Sequence, residues 1–317
     1  MPRRGLRGGH RQTLASFFLN RRIVLPPAEK RLVEVEPGVK VLCHCHWQAD
    51  RTNAFTTVVV HGLEGSSESQ YMLGIADKGL AAGMNVVRMN QRNCGDTEGE
   101  GPTLYHSGLS RDVAMVARNL VEQDHISRFG LAGFSMGGNL VLKLAGEWGK
   151  DGPPQFRAVA AVCPSMNLAA SADALHNRSN RLYEYYFMWK LRRRLRAKAR
   201  LFPGVFDTSR LRGVYSLRDF DDKITAYYCG FAGADDYYAR AAAANVVDRI
   251  AVPAFILQAA SDPFIRILPE TRQTILANPN ITFLETEDGG HCSFLAQPDG
   301  DDGHWAERQV VEFLRRF

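Results

Sequence analysis

The stretch that decides the fold is LAGFSMGGN, residues 131–139. A short apolar strand, predicted over Arg128–Phe134, leads into Gly133-Phe134-Ser135-Met136-Gly137, and an apolar helix is predicted over Met136–Trp148. This pentapeptide has the form G-x-S-x-G, in which a β-carbon at either glycine would collide with the adjoining strand or helix. The turn presents the serine hydroxyl above the edge of a sheet, beside the positive end of the helix dipole. Ser135 is therefore the candidate nucleophile.

Strands and helices alternate on both sides of this turn. We predict further strands over Val39–Trp47, Thr56–His61, Asn85–Asn90, Phe156–Cys163, Ala254–Ala260 and Ile281–Glu287, and further helices over Met72–Ala82, Ser110–Gln123, Leu268–Ala277 and Trp305–Phe317. Such alternation is typical of an α/β fold with a mostly parallel central sheet and helices on both faces.

The alternation fails between Pro164 and Ile250, in a stretch that is aromatic, basic and helical in part. It is too long for a loop, so we expect an inserted helical cap over one end of the sheet. The sequence therefore predicts one domain over residues 1–317. Its core covers about 30–163 and 251–317, its N-terminal arm 1–29, and its cap or lid about 164–250.

A serine hydroxyl needs a base, and the base needs an orienting acid. Among nine histidines, His291 follows the last predicted strand in a glycine-rich loop that can reach the sheet edge. Asp262 follows another strand and completes the order Ser…Asp…His. Asp288 is so close to His291 in sequence that the two side chains could hardly face each other, and Asp236 lies in the insertion. We therefore predict Ser135, Asp262 and His291 as a catalytic triad.

Two backbone amides are expected to form an oxyanion hole. One is the amide of Met136, directly after the serine, and the other comes from the loop after an early central strand, His61-Gly62-Leu63-Glu64-Gly65. Leu63 is the better candidate there because Gly62 allows the backbone to turn. His61 is expected to hold the loop, not to transfer protons.

Longer motifs along the chain resemble one branch of a known family. They are GGHRQT (8–13), HGLEGSSES (61–69), NQRNCGD (90–96), YHSG (105–108), GFSMGGN (133–139), FDDKITAYYCGFAGADDYY (220–238), and SDPF and GGH around Asp262 and His291. Together they resemble the YheT-like branch of the α/β-hydrolase superfamily, which includes plant embryogenesis-associated hydrolases and mammalian membrane-linked relatives. Asn93, where relatives commonly carry glycine, and Ala242, where serine or threonine is usual, depart from the pattern.

The resemblance implies a serine esterase or lipase without a cofactor. It implies cleavage of carboxylic esters, short- to medium-chain acyl esters, acylglycerols or phospholipids among them, through an acyl-enzyme. A thioesterase or amidase of the same fold stays open, as does a non-catalytic ligand-binding protein. No metal site is expected from Cys43-His44-Cys45-His46, because cysteines and histidines alternate between opposite faces of a strand. Cys292 is not expected to act as a nucleophile, since no sharp turn presents it.

The composition is that of an ordinary globular protein, with 45% hydrophobic and 23% charged residues, and it excludes disorder. The net charge of +5 is unevenly distributed: residues 1–31 and residues 181–200 each carry +7, which leaves −9 for the rest. Nucleic-acid binding is not expected, since no base-reading motif accompanies this charge. The sequence gives no indication of the oligomeric state.

The predicted helix Arg181–Arg200 has an apolar stripe amid basic residues: Tyr183, Phe187, Leu191 and Leu195. The stripe either packs on the body or meets an anionic membrane surface. No apolar run reaches the length of a membrane span, and the start of the chain is too polar for a secretory signal, although an arginine-rich transit peptide stays open. Six dispersed cysteines favour a reducing cytoplasm.

Overall fold

The structure is a computed structural model that describes residues 2–19, 21–298 and 300–317. Met1 and Asn20, in the predicted N-terminal arm, and Asp299, in the predicted core, lie outside the described residues. The strands are β1 (Glu29–Glu36), β2 (Val39–His46), β3 (Thr56–Val60), β4 (Asn85–Met89), β5 (Phe129–Phe134), β6 (Phe156–Val162), β7 (Ala254–Ala259) and β8 (Ile281–Thr286). They form one eight-stranded sheet in the order β1-β2-β4-β3-β5-β6-β7-β8.

The helices cover both faces and one edge of this sheet. They are α1 (Gly9–Phe18), α2 (Gln70–Ala81), α3 (Ser110–Asp124), α4 (Met136–Trp148), α5 (Leu168–Leu175), α6 (Arg181–Leu201), α7 (Leu217–Phe220), α8 (Tyr227–Cys229), α9 (Ala234–Ala241), α10 (Pro269–Ala277) and α11 (Trp305–Leu314). A π-helical turn, Asp221–Ala226, joins α7 to α8. No helix in the described part of the chain is both long and apolar enough to cross a bilayer.

The predicted α/β architecture is confirmed, since β3 to β8 run parallel. Alternate residues of β3 point to opposite faces: Val58 and Val60 belong to one buried apolar cluster and Val59 to another. Both faces of the sheet are therefore buried under apolar side chains. The carboxyl ends of parallel strands meet at one edge, so the loops after β3, β5, β6, β7 and β8 lie side by side there.

Two elements near the start of the chain were not predicted. Strand β1 pairs antiparallel with β2 at the sheet edge, and its Val33 and Val35 are buried among charged neighbours. The short apolar alternation was hidden by the lysine, arginine and glutamate residues on its outer face. Helix α1 lies in the predicted arm, where the basic composition gave no helical signal.

The segment between β6 and β7 contains α5 to α9 and packs over the carboxyl edge of the sheet. Its longest helix, α6, turns Leu191 and Leu195 inward, so the predicted apolar stripe faces the body of the protein. Fully burying such a side chain contributes roughly 1.5–3 kcal/mol. The outward surface of α6 is therefore a different set of residues from the stripe that the sequence indicated.

A buried lysine ties α6 to the loop after β4. The Lys198 ammonium donates to Asn93 Oδ1 at 2.8 Å, to the carbonyl oxygen of Glu98 at 2.8 Å and to that of Gly101. Asn93 has a φ of 64°, in the left-handed region that glycine or asparagine adopts most readily. The departure from glycine at this position therefore keeps the backbone conformation and adds an acceptor for Lys198.

Candidate active site

Ser135 lies between β5 and α4, on a turn that only small neighbours allow. Its φ is 54° and its ψ −117°, an unusual conformation for a residue with a side chain. A β-carbon at Gly133 would overlap the carbonyl of Gly137, and one at Gly137 would overlap the carbonyl of Val60. The structure therefore agrees with the prediction that a β-carbon at either glycine would collide with the neighbouring backbone.

The structure brings the three predicted triad residues together. Nε2 of His291 lies 2.9 Å from Oγ of Ser135, and Nδ1 of His291 lies 3.0 Å from Oδ2 of Asp262. The other carboxylate oxygen, Oδ1 of Asp262, accepts from the amides of Phe264 and Ile265 at 3.0 and 2.9 Å. One oxygen of the carboxylate is thus held by its own loop while the other orients the imidazole.

The charges around His291 favour its protonated form. Burial on its own would lower the pKa of His291, but the negative charges of Cys292 and Asp262 raise it above the ordinary value. Burial on its own would raise the pKa of Asp262, but the charge of His291 and the hydrogen bonds to Asp262 lower it. An imidazole in this setting is well suited to hold a proton that a serine hydroxyl releases.

Both predicted oxyanion donors lie beside Ser135. Met136 is the first residue of α4, and Leu63 follows Gly62, where a β-carbon would stand 3.0 Å from Cβ of Ser135. Within residues 2–19, 21–298 and 300–317, neither the Leu63 nor the Met136 amide has a protein acceptor. Two free amides at a helix N-terminus and an adjoining loop can bind a developing negative charge.

His61 holds the loop that carries Leu63. It is fully buried, and its Nε2 accepts from the amide of Gln91 at 3.1 Å while its Nδ1 contacts the carbonyl oxygen of Gly62 at 2.8 Å. Burial lowers the pKa of His61 to about 4, so the ring is neutral at neutral pH.

The rejected acids have hydrogen-bond partners outside the triad. Asp288 accepts from the amide of Gly8 at 2.9 Å, and Asp236 accepts from the amide of Ala232 and pairs with Arg240. Each therefore has a local structural partner.

The N-terminal arm braces the triad loops, a role that sequence reasoning missed. The His291 amide donates to Thr13 Oγ1 at 2.8 Å, and the Leu295 amide donates to Gln12 Oε1 at 2.8 Å. Gly9 packs so closely on Ser261 that a β-carbon would overlap its carbonyl oxygen. The GGHRQT motif was available as a signal, but its partners lie far along the chain.

A largely apolar cavity opens at Ser135. Its walls come from the loops at the sheet edge and from the segment between β6 and β7, including Leu63, Leu168, Phe187, Leu191, Leu195, Phe220 and Phe264. Its polar lining includes Asp221, whose carboxylate accepts from Tyr238 at 2.7 Å and Thr225 at 2.8 Å. The site therefore combines a serine with an apolar space suited to a hydrocarbon chain.

The chain is similar to known proteins along most of its length. Over 321 aligned residues the chain is 29% identical to YheT of Escherichia coli, which is provisionally named an esterase, and the match covers 100% of this chain and 93% of YheT. It is 26% identical to phospholipase ABHD3 of Mus musculus over 317 residues, covering 96% of this chain and 74% of that protein. These similarities confirm the expected resemblance to the YheT-like branch.

A solved structure shares the fold. The esterase Pf2001 of Pyrococcus furiosus superposes with a TM-score of 0.61 at 16% identity, covering 94% of this chain and 99% of that one. Residues 58–298 match the profile of the α/β hydrolase fold, which is most of the chain. With the eight-stranded sheet and its serine turn, this match shows that the chain belongs to the α/β-hydrolase fold family.

Proposed function

We propose that this chain is a serine hydrolase that cleaves carboxylic esters through an acyl-enzyme. The observation that carries the proposal is the continuous chain of contacts from Ser135 through His291 to Asp262, at 2.9 and 3.0 Å. The names of YheT and of the Pyrococcus protein as esterases, and of ABHD3 as a phospholipase, support the same class of reaction. We propose no cofactor for this reaction.

In the first half of the reaction, His291 Nε2 takes the proton of Ser135 while Oγ attacks the ester carbonyl. The amides of Leu63 and Met136 stabilise the oxyanion, and Asp262 stabilises the imidazolium. The C–O bond then breaks, and the alcohol leaves with the proton from His291. In the second half a water molecule repeats these steps on the acyl-enzyme, which releases the acid and restores Ser135.

The apolar lining of the cavity supports a lipid-like ester as substrate. We propose acyl esters of short to medium chain length, acylglycerols or phospholipids among them, with the acyl chain in the apolar space between the sheet edge and residues 164–250. Those residues would then act as a cap of a single-domain enzyme whose core covers about 30–163 and 251–317. The phospholipase name of the mouse relative supports a lipid ester.

Labelling with a fluorophosphonate probe tests the proposed nucleophile. We expect the wild type to take one label, Ser135→Ala to take none, and Ser127→Ala, just before the opposite end of β5, to react like the wild type. Label that persists in Ser135→Ala would refute the proposal.

A substrate series tests the bond that is cleaved. Nitrophenyl esters of increasing acyl length are compared with acyl-thioesters and anilides. The fastest turnover should occur on esters, and a clear preference for thioesters or anilides would instead support the thioesterase or amidase alternative.

We further propose that the enzyme works in the cytoplasm and docks on anionic membranes. The six free cysteines support a reducing compartment. Phe17 of α1 is 62% exposed, and Leu182 and Trp189 on the outer face of α6 are 80% and 53% exposed. The rings of Phe17 and Tyr186 lie 5.7 Å apart, which joins the two helices into one aromatic surface.

The charge on the same side of α6 supports an anionic partner. The outward-facing basic residues of this helix include Arg193, whose guanidinium lies 5.8 Å from the centre of the Trp189 ring. Aromatic side chains beside basic ones are suited to a bilayer interface.

Flotation with vesicles at low and high salt tests this docking. We expect binding to anionic vesicles that weakens with salt and with Trp189→Ser, and no change with Leu276→Ser, an exposed leucine on α10. Equal recovery with neutral and anionic vesicles would contradict it.

A further inference from the structure

Three metal-ligating side chains meet next to the candidate nucleophile. Cys163 follows β6, and Cys292 follows His291 in the loop after β8. One ligand atom from each of these three residues lies within 4.8 Å of the other two, and no other group of this kind occurs in the described part of the chain. Sγ of Cys292 lies 3.8 Å from Nε2 of His291.

We propose that Cys163, Cys292 and His291 bind a thiophilic divalent cation such as Zn²⁺ or Cd²⁺, and that the bound ion inhibits hydrolysis. The binding site stands on the geometry of these residues alone, whereas the inhibition rests on the proposed function. Such an ion is a regulator of the reaction and not a cofactor for it.

The spacing of Cys292 Sγ and His291 Nε2 fits a tetrahedral ion, and the ligand atom of Cys163 lies within 4.8 Å of the other two. With Zn–S and Zn–N bonds of about 2.3 and 2.05 Å, sulfur and nitrogen ligands of one tetrahedron stand roughly 3.6 Å apart, and two sulfur ligands roughly 3.8 Å apart. The observed separation of 3.8 Å between Sγ of Cys292 and Nε2 of His291 would need to shorten by only about 0.2 Å for both atoms to bind one ion. Two thiolates and an imidazole favour Zn²⁺ or Cd²⁺ over Mg²⁺ or Ca²⁺, which prefer oxygen ligands.

The surroundings of His291 match those of a metal-bound histidine. Its Nδ1 is bonded to the buried carboxylate of Asp262, which leaves Nε2 as the free ligand atom. Metal-ligating histidines usually have such a carboxylate partner on the other ring nitrogen. Three protein ligands leave a fourth position open, which suits reversible binding better than a permanent structural ion.

The loops hold the two thiols in place. Sγ of Cys163 contacts the carbonyl oxygen of Gly290 at 3.8 Å, and Sγ of Cys292 contacts that of Val162 at 3.6 Å, so each thiol reaches the loop that carries the other. Both cysteines have a positive φ, 44° and 56°. On binding, any of the two cysteines that is still a thiol releases its proton to solvent as it becomes a thiolate ligand.

Inhibition follows from the use of Nε2. The same lone pair that would accept the Ser135 proton is donated to the ion, so the hydroxyl has no base. The ion is therefore expected to stop the first half of the reaction without displacing Asp262.

Binding is tested on the full chain with Cd²⁺, by calorimetry and by the ultraviolet absorbance of cadmium–thiolate bonds. We expect one ion per chain with a thiolate signal, and at least about a hundredfold weaker binding in Cys292→Ser and Cys163→Ser, more than the loss typical of an outer-shell partner. Cys229→Ser, a partly buried cysteine on α8, is the matched control. Circular dichroism of the cysteine variants checks that they fold.

Inhibition is tested with Zn²⁺ on a short ester. Activity should fall with Zn²⁺, return with a chelator, and be unaffected by Mg²⁺, while Cys292→Ser should resist Zn²⁺. Equal sensitivity or equal affinity of Cys292→Ser and the wild type would overturn the proposal. If Cd²⁺ binds as expected but no ester is hydrolysed, the proposed function fails and the binding site stands.

Discussion

A buried ion pair fastens the proposed oxyanion loop to helix α6. The Glu64 carboxylate accepts from Nε and Nη2 of Arg194 at 2.8 and 3.0 Å and from the Tyr105 hydroxyl at 2.8 Å. Glu64 directly follows Leu63, and the backbone carbonyl oxygen of Glu64 accepts from Nζ of Lys190 at 2.6 Å. Replacing the guanidinium in Arg194→Met therefore tests whether α6 holds the loop in place.

The expected loss follows from the burial of the pair. The Glu64 side chain is 2% exposed and that of Arg194 12%. An exposed pair contributes at most about 1 kcal/mol, whereas removing one partner of a buried pair costs roughly 3–5 kcal/mol, because the other charge stays buried without compensation. We expect Arg194→Met to lower the free energy of unfolding by roughly 3 kcal/mol. The double variant Glu64→Gln/Arg194→Met should recover part of that loss.

Urea unfolding and steady-state kinetics on a short ester measure the two effects. If the Leu63 amide loses its position, kcat should fall more than KM rises, up to about the hundredfold loss that follows removal of one oxyanion donor. Arg196→Met, an exposed arginine on the same helix, is the control. A loss of stability below about 1 kcal/mol in Arg194→Met, as for an exposed pair, would refute the reasoning.

Three further predictions concern pH and one loop. The charges of Cys292 and Asp262 outweigh burial and raise the pKa of His291, so kcat/KM, measured with chelator present, should rise with pH above 6.5. Cys292→Ser should shift that rise to lower pH. A pH profile that is not shifted in this variant would contradict the prediction. Burial raises the pKa of Asp221 to about 6 from 3.8, so the folded state binds that proton more tightly and loses stability as pH rises through this range. In urea unfolding, the free energy of unfolding of Asp221→Asn minus that of the wild type should therefore increase by roughly 2–3 kcal/mol between pH 4 and pH 7. A difference that stays the same at both pH values would argue against this. Asn93→Gly keeps the left-handed backbone but removes an acceptor for Lys198, so thermal or urea unfolding should show a loss of about 1–3 kcal/mol; full stability would count against that contact.

Features with a local sequence cause were predictable. The turn at Ser135 needs glycines only two residues away on each side, and alternation of strands and helices follows from hydrophobic period. The fold and most element bounds were therefore predicted to within one or two residues, although α11 ends at Leu314 and not at Phe317.

Features that depend on distant contacts were not predictable. The Ser293 hydroxyl donates to the carbonyl oxygen of Gln12 across 281 positions of the chain, and Sγ of Cys163 contacts the carbonyl oxygen of Gly290, two residues before Cys292, across 127 positions. A single sequence does not show which distant residues will be in contact, because those contacts form only when the sheet brings the loops to one edge. The same holds for α6, whose apolar stripe was visible from its period but whose inward direction was not.

The most direct measurement of the central claim is the rate of hydrolysis of a short nitrophenyl ester by the wild type, Ser135→Ala and Ser127→Ala, with folding checked by circular dichroism. We predict that Ser135→Ala lowers kcat by at least about a thousandfold, as loss of a triad nucleophile does, and that Ser127→Ala keeps the wild-type rate. A folded Ser135→Ala variant that keeps a tenth or more of the wild-type kcat would contradict the claim that Ser135 is the nucleophile.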